Sequence, residues 1–449
     1  MITDHRFRNR GLLSTFVGIV FTLSMLGNPL AALAAGWSQG VVIAPSLPST
    51  APNAFAFNPA GNEVWVTAPG VSGGAVVQVA QRSFGGGWSS LATIATIHSV
   101  GTVSVQGLSI SLSANNNAAA VWSVGGGVQI ALRSPTGVWQ APVSFAPTGG
   151  ASNLVAKLDA QGNGVAAWSR LTATASVVEA VTWTANGTFG AVVQLSSSSQ
   201  GAFLPDMDIN EAGTAVVVWQ AAAPLDNSNP YQIESATRPA GGSWSAVTPV
   251  SPVMPQTWSP KVALDGFGSA TVVWEQGATA NNYRIYAATR AAGGAWGGPT
   301  RIEPADWYST GQHSVAADAA GNVTAAWVVE DTSGAMFIHT ATRPAGGAWG
   351  TPTNLGQCMS NGGSLCLTPP VAAARDGSIT VVGWTAYGGL GNLSNVAVRL
   401  GSGQWVPMVV SGNPQLTYVM ATNNARASVV WPARNGVKYH HALVQSDYQ

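Results

Sequence analysis

Short runs with β-strand character alternate with turn residues along most of the chain. One unit of this pattern contains four such runs, residues 260–265, 270–275, 283–290 and 296–302. Asp265 and Gly268 form an Asp-x-x-Gly turn signal between the first two runs, and a Gly-Gly pair precedes the fourth. This order predicts four antiparallel strands, a to d, in which turns join a to b and c to d, and a loop joins b to c.

The same unit recurs along the chain. Residues 236–244, 288–296 and 341–349 are nearly identical copies of the turn between strands c and d. An aromatic residue marks this turn at Trp37, Trp88, Trp139, Phe189, Trp244, Trp296, Trp349 and Trp405. The spacing of 50 to 56 residues is typical of propeller blades. We therefore predict an all-β, eight-bladed β-propeller of four-stranded antiparallel blades; seven blades are the alternative, because the first unit is degenerate.

The two ends of the repeat complement each other. Residues 36–43 form a d-type strand that contains Trp37, whereas residues 418–444 supply strands a, b and c without their own d strand. An N-terminal strand that completes the last blade would close the ring and remove an exposed strand edge. The strand of Trp37 is therefore expected in the same sheet as the strand of Trp431.

The first residues are typical of a bacterial secretory signal. Arg6, Arg8 and Arg10 precede an apolar run, and the small-residue stretch that follows suits cleavage before Ala35. The alternative is a membrane anchor, but the apolar run is short for a membrane span. We expect a signal peptide over residues 1–34 and a single propeller domain over residues 35–449, secreted or periplasmic, with no membrane span in the mature chain.

The charge composition excludes several classes of partner. Only 8% of the residues are charged, against about 25% in an average globular domain, and the net charge is zero. No basic patch for nucleic acid or for an anionic membrane surface is therefore expected. The sequence also shows no metal-ligand spacing and no Gly-rich phosphate motif, so we expect no cofactor and no metal site. A monomer is expected.

Two cysteines, Cys358 and Cys366, stand close together in a loop rich in Gly, Ser and Asn. In an oxidising compartment, two neighbouring loop cysteines most simply pair with each other. We therefore predict a local disulfide.

The turn between strands c and d resembles the Asp-box, the short repeat of sialidase-like β-propellers. Thr237, Gly241 and Trp244 match three of the four positions of the box, but Pro239 stands where the family has Asp. The resemblance implies the propeller fold. Sialidases also use three arginines, a Tyr–Glu pair and an acidic residue, and no matching catalytic residues occur on the predicted inner strands. A catalytic site is therefore not predicted from the resemblance.

Most repeated polar and aromatic residues have a structural interpretation. Asp159, Asp265 and Asp318 each precede a turn Gly by three residues, as expected of Asp that caps a type I turn. The turn arginines, Arg82, Arg133, Arg238, Arg290, Arg343 and Arg399, are expected to pack over neighbouring tryptophans. The strand-b tryptophans are expected in the core between blades.

The residues that do not repeat lie on the d–a and b–c loops, which share one end of a propeller. The candidate ligand-binding residues among them are Trp258, Trp307, Tyr308, Asp306, Glu330 and Asp331. Exposed aromatic rings near carboxylates suit glycan stacking or protein contact. The alternative interpretation is that these side chains plug the funnel or pack the loops.

Three hypotheses follow for the function. The first is a non-catalytic protein that binds a glycan or an extracellular or periplasmic protein through these loops. The second is a divergent glycoside hydrolase or lyase that uses carboxylates among Asp306, Glu330, Asp331 and Glu275. The third is a structural envelope scaffold without a small ligand.

Overall fold

The computed structural model describes residues 41–42, 51–98, 105–145, 150–222, 230–277, 283–303, 308–359, 366–388, 391–412, 418–423, 426–433 and 438–444. The regular elements in these ranges are all β-strands, so the all-β prediction is confirmed. Within the same ranges, no helix is long and apolar enough to cross a membrane. The predicted signal peptide over residues 1–34, and Trp37, lie outside the described residues.

The strands of the first half of the chain are β1 (Val41–Val42), β2 (Asn53–Phe57), β3 (Glu63–Thr67), β4 (Gly70–Val71), β5 (Gly74–Arg82), β6 (Ala92–His98), β7 (Gln106–Leu112), β8 (Ala118–Val124), β9 (Gly127–Arg133), β10 (Val143–Phe145), β11 (Ala151–Leu158), β12 (Gly164–Leu171), β13 (Ser176–Trp183), β14 (Val193–Gln194), β15 (Ala202–Ile209), β16 (Ala215–Ala222), β17 (Tyr231–Arg238) and β18 (Thr248–Pro249).

The strands of the second half are β19 (Gln256–Leu264), β20 (Ala270–Gly277), β21 (Tyr283–Arg290), β22 (Thr300–Arg301), β23 (Tyr308–Ala317), β24 (Val323–Glu330), β25 (Met336–Arg343), β26 (Thr353–Met359), β27 (Val371–Ala373), β28 (Ile379–Gly388), β29 (Gly391–Leu400), β30 (Val406–Gly412), β31 (Tyr418–Thr422), β32 (Arg426–Ala433) and β33 (Lys438–Val444).

Consecutive strands pair antiparallel in the order predicted from the repeat. Sheets of four strands are formed by β7–β10, β11–β14, β15–β18 and β19–β22, and the first sheet carries the extra short strand β4. The units β23–β26 and β27–β30 are counted as one sheet because a single parallel bridge, Met359 to Tyr387, joins them. The last sheet has the order β1-β33-β32-β31, so the N-terminal strand pairs with the C-terminal one, as Val41 opposite His441 and Val42 opposite His440.

The first strands of all these units surround one cavity. The cavity has a volume of about 350 Å³, and its lining comes from β2, β7, β11, β15, β19, β23, β27 and β31. Each first strand is the edge of its sheet that lines the cavity. The N–H groups on its unpaired side therefore have no partner within the sheet. Side chains of the preceding first strand accept some of these hydrogen bonds. Asp206 accepts from Val262 N at 2.8 Å, and Ser109 accepts from Ala156 N at 3.2 Å.

In the six sheets from β7–β10 to β27–β30, a buried tryptophan of the second strand packs against the preceding sheet. Trp219 lies among Val165, Ala167 and Val178 of the sheet before it. In the same way, Trp274 packs against the sheet that precedes its own. The prediction of core tryptophans is confirmed for six of them, since Trp122, Trp168, Trp219, Trp274, Trp327 and Trp384 are all buried. The side chain of Trp431 lies outside the described ones, so its place in the core stays a prediction. The indole N–H groups of several of the buried tryptophans donate to a polar side chain in the same sheet, as Trp219 does to Glu234 at 3.0 Å.

The interpretation of the turn Asp residues is confirmed. The packing of a turn arginine over a tryptophan is confirmed for Arg82, Arg290 and Arg399, whereas Arg238 makes no such contact with the described residues. The Asp159 carboxylate accepts hydrogen bonds from Gly162 N and Asn163 N at 2.8 and 2.9 Å. The guanidinium carbon of Arg290 lies 4.9 Å from the ring centroid of Trp296. The predicted disulfide joins Cys358 and Cys366.

Glycine in the first turn is required by a neighbouring sheet. Gly321 has φ +95°, and a Cβ there would lie 3.0 Å from Oδ2 of Asp265, the turn carboxylate of the preceding sheet. Gly346, in the second turn of the same unit, has φ +66° and open space around the same position. Alanine substitutions at Gly346 and Gly321 therefore separate the free-energy cost of backbone strain from the cost of the steric contact.

We expect Gly346→Ala to lower the free energy of unfolding by about 1–2 kcal/mol, the cost of a left-handed backbone for an L-residue. Gly321→Ala is expected to lose about 1–3 kcal/mol more, because the methyl group also displaces Asp265. Urea unfolding of the two variants measures both losses. Equal losses of unfolding free energy would show that the contact between position 321 and Asp265 does not contribute to stability.

Candidate functional site

Five side chains that do not repeat come together at the loop ends of β19–β23. We call Trp258, Glu275, Arg284, Glu303 and Tyr308 the loop-end cluster. Trp258 and Tyr308 lie on the first strands β19 and β23, which contact each other. Glu275 and Arg284 lie on β20 and β21, and Glu303 follows β22. The cluster therefore spans one sheet and the first strand of the next.

Tyr308 offers an exposed aromatic ring backed by a cation. Its side chain is 41% exposed. The guanidinium carbon of Arg284, from the neighbouring sheet, lies 4.5 Å from the centre of the ring. Such a cation–π contact orients the ring and places a donor-rich group over one of its faces. Glu330 stands opposite Tyr308 in the strand register.

Trp258 is fixed by three neighbours. Its ring lies 4.7 Å from the ring of Tyr231 on the preceding sheet, centroid to centroid. Its indole N–H donates to Oε1 of Gln256 at 3.0 Å, and the Tyr283 hydroxyl donates to the same oxygen at 3.1 Å. The ring is half-buried, so it is held in one orientation with part of its surface open.

Two carboxyl groups lie beneath these rings. Glu275 and Glu303 are each only 5% exposed. Burial raises the pKa of Glu303 to about 8, helped by the charge of Glu275 and opposed by Arg284 and Arg301. Burial also raises the pKa of Glu275, against hydrogen bonds from Ser309 and Gly311. Oε1 of each has no hydrogen-bond partner among the described residues.

His313 lies on β23 near the same carboxyls. It is fully enclosed, and burial together with the charge of Lys261 lowers its pKa to about 4. One ring nitrogen lies 2.7 Å from the carbonyl oxygen of Ser259. The imidazole is therefore neutral near pH 7. In the described part of the chain, no group of three or more His, Cys, Asp or Glu side chains is placed to hold a metal ion.

The structure places the predicted binding residues unequally. Trp258 and Tyr308 lie on adjacent first strands, and Glu330 is beside Tyr308 in the register. Asp331 instead caps its own loop, where its carboxylate accepts from Ser333 N at 2.8 Å and Ala335 N at 3.0 Å. Trp307 and Asp306 lie outside the described residues, so both stay predictions.

Sequence reasoning did not select Glu303 or Arg284. Glu303 stands where two earlier units have Ser196 and Ser251, whose hydroxyls accept from backbone N–H groups of their third strands. Oε2 of Glu303 accepts the matching bond from Ile285 N at 2.9 Å. An alignment of the units on this position would have exposed a carboxylate in a serine site. Arg284 gave no such signal, because its partner Tyr308 belongs to another sheet.

The arrangement is suited to recognition. Aromatic rings held at the surface can stack on apolar ligand faces, and the Arg284 guanidinium can donate several hydrogen bonds. The carboxyls of Glu275 and Glu303 are covered, so they shape the electrostatics beneath the rings and do not reach solvent in the described structure.

Comparison with known proteins gives similarity of fold alone. No family model matches the chain, and no curated protein matches it. The chain is similar to the BP39L lectin from Burkholderia pseudomallei, with 14% identity, a TM-score of 0.51, and coverage of 83% of this chain and 100% of that one. It also matches the β-propeller domain of the Trilobed protease from Pyrococcus furiosus, with 6% identity, a TM-score of 0.47, and coverage of 89% and 94%.

A third similar structure is the polysaccharide lyase Uly1, with 10% identity, a TM-score of 0.46, and coverage of 79% of this chain and 92% of that one. Because no family model matches, the Asp-box resemblance of the turns stays a prediction.

The Glu303 carboxyl should make stability depend on pH. The folded protein keeps this proton up to about pH 8, whereas an unperturbed Glu releases it near 4.5. The folded state therefore binds more protons in this window, and its stability falls as pH rises through it. Relative to Glu303→Gln, we expect the wild type to lose up to about 5 kcal/mol between these pH values.

Urea unfolding across this pH range measures the difference between the two proteins. Glu211→Gln, the same substitution at an exposed turn position, is the matched control. A difference between wild type and Glu303→Gln that stays constant with pH would contradict a buried protonated carboxyl.

Proposed function

We propose that the protein is an exported, non-catalytic carbohydrate-binding protein whose ligand docks on the loop-end cluster. The observation that carries the proposal is a pair of immobilised rings, Trp258 and Tyr308, on adjacent first strands. Fixed rings lose little conformational freedom on binding, which favours stacking against the apolar faces of sugars. Arg284 supplies hydrogen-bond donors at the edge of the same surface.

Two further features belong to this proposal. Residues 1–34 are removed as a signal peptide, and the remaining chain forms a closed ring of eight blades. The cavity lined by eight first strands supports the blade count. The pairing of β1 with β33 supports the closure. The disulfide between Cys358 and Cys366 is typical of an oxidising compartment, so it supports export.

A glycoside hydrolase or lyase is the second candidate, and one observation favours it. A carboxyl with a raised pKa, such as that of Glu303, can act as a general acid near neutral pH. Its partner in such a mechanism would be Glu275, whose charge Glu303 senses. Burial of both groups weighs against this candidate, because a substrate has to touch its acid and base.

We expect Tyr308→Ala and Trp258→Ala each to weaken glycan binding by about tenfold, which is about 1.4 kcal/mol of stacking free energy. Screening on a glycan array, followed by titration calorimetry with the best ligand, measures the loss. Phe267→Ala is the matched control, because Phe267 is an exposed ring, 74% accessible, in a turn at the other end of the strands. This control should bind as the wild type does.

The other outcomes of that screen separate the hypotheses. Retention of full affinity in the Tyr308→Ala, Trp258→Ala double variant would rule out the loop-end cluster as the site. Release of reducing ends from a bound glycan, abolished by Glu303→Gln, would establish the hydrolase. A blank array together with co-purifying envelope proteins would establish the scaffold.

Ring closure has its own test in the register of β1 and β33. Val42 and His440 are Cα partners, so Val42→Cys with His440→Cys should form a disulfide on oxidation. Val41→Cys with His440→Cys is the matched control, because a shift of one residue points the two side chains to opposite faces of the sheet. Thiol titration of the folded proteins distinguishes them. Free thiols in both would refute the closure.

A further inference from the structure

The repeat breaks at one turn, in the sheet of β11–β14. Trp183 stands where the other units carry the turn arginine, and Phe189 stands where they carry the turn tryptophan. Trp183 is opposite Gly164 in the register, whereas the corresponding arginines face Ala215 and Ala270 in later sheets. A larger aromatic residue and a smaller partner therefore occur together.

The glycine makes room for the indole. A Cβ at position 164 would lie 2.2 Å from Cζ2 of Trp183, so any other residue there would clash with the ring. Trp183 is consequently laid against its own sheet, and its ring contacts Phe189 at 5.8 Å between centroids. The substitution also removes a guanidinium from this turn. This turn therefore has an aromatic wall, formed by the rings of Trp183 and Phe189, and lacks the arginine of the other units.

A cavity of about 410 Å³ opens between this wall and the next sheet. Its lining includes Trp183, Phe189, Gln161, Thr188 and, from the neighbouring sheet, Arg238. A groove beside β21, two sheets further on, measures about 150 Å³ and is lined by Arg343 and Trp349. The space where the repeat breaks is thus the larger of the two.

Arg238 differs from the other turn arginines in its contacts. Arg399 donates to Thr342 at 2.9 Å, Arg133 donates to the carbonyl of Asn116 at 2.7 Å, and Arg82 pairs with Glu63. Arg238 makes no hydrogen bond, ion pair or ring contact with any described residue. Its five N–H donors are therefore available to a ligand in the cavity.

The one carboxylate in the lining is already fully engaged. Oδ1 of Asp159 accepts from three backbone N–H groups of its own turn, and Oδ2 accepts from the Asn163 side chain at 2.7 Å. It therefore has little capacity left to accept from Arg238 or from a ligand. The cationic donor in this cavity is Arg238, and the polar side chains of Gln161, Thr182 and Thr188 beside it make no hydrogen bond within the described part of the chain.

We propose that this cavity is a second binding site, for a saccharide unit that carries a carboxylate, such as a hexuronic acid residue. The Arg238 guanidinium forms a two-point contact with the carboxylate. The half-buried ring of Phe189 faces the apolar side of the sugar, with the buried ring of Trp183 packed behind it, and Gln161 and Thr188 are placed for the hydroxyls of the sugar. The site lies at the turn end of the strands, opposite the loop-end cluster, so it goes beyond the function proposed for that cluster.

Titration calorimetry of the full-length mature protein with a hexuronic acid tetrasaccharide, and with its carboxyl-reduced neutral counterpart, tests this site. We expect the acidic oligosaccharide to bind at least tenfold more tightly than the neutral one. Arg238→Gln should remove that preference, since a two-point charged contact is lost. Arg343→Gln is the matched control, with the same charge change at the same repeat position, and should bind as the wild type does.

A second variant keeps the charge and blocks the space. Ala240→Trp adds a ring at an exposed alanine of the cavity lining and should abolish binding while Arg238 stays in place. Thermal melting confirms that each variant is folded. Equal binding of the acidic and neutral oligosaccharides, or unchanged binding by Arg238→Gln or Ala240→Trp, would overturn the proposal. Unchanged binding by Tyr308→Ala is expected, so the two sites fail independently.

Discussion

The packing of a buried tryptophan from the second strand against the preceding sheet, seen in the six sheets from β7–β10 to β27–β30, is the contact on which the described structure depends. Trp122, Trp168, Trp219, Trp274, Trp327 and Trp384 each fill the space between two sheets. Burying a large aromatic side chain removes a large apolar area from water and therefore stabilises the contact between two sheets. Because these six sheets pack in the same direction, each one positions the next and keeps the loop ends and the turn ends aligned.

The features that the sequence predicted correctly are those that recur with a fixed spacing. The strand order, the core tryptophans and the Asp turns each follow from a residue type at a repeated position, and the disulfide follows from two cysteines close together in one loop. The bulges of the first strands show what such reasoning misses. The residues with positive φ there are Gly107, Asn153, Leu204, Ser259 and Gly311. Each lies where the register between the first and second strands shifts, and no shared residue type marks these positions in the sequence.

The candidate site was predictable only in part, for a related reason. Trp258 and Tyr308 stand outside the repeat, so sequence alone selected them. The cation over Tyr308 could not be selected, since Arg284 reaches it from a different sheet. The same limit applies to Glu303, whose pKa depends on burial and on the charges of Glu275, Arg284 and Arg301, which only the folded chain brings together. The spacing of residues along a strand predicts their neighbours within the same sheet, but it does not predict their neighbours in another sheet.

A repeated scaffold also changes how a functional side chain is recognised. In a repeat, the expected residue at each position is known from the other units, so a departure has a reference state within the same molecule. A single departure, such as Glu303 in a serine position, alters the charge of one site while the backbone contact is kept. Two departures that compensate each other are stronger evidence of a functional role than a single one, because both changes have to be present together. Trp183 with Gly164 is such a pair, since the indole fits only where the opposing side chain is absent.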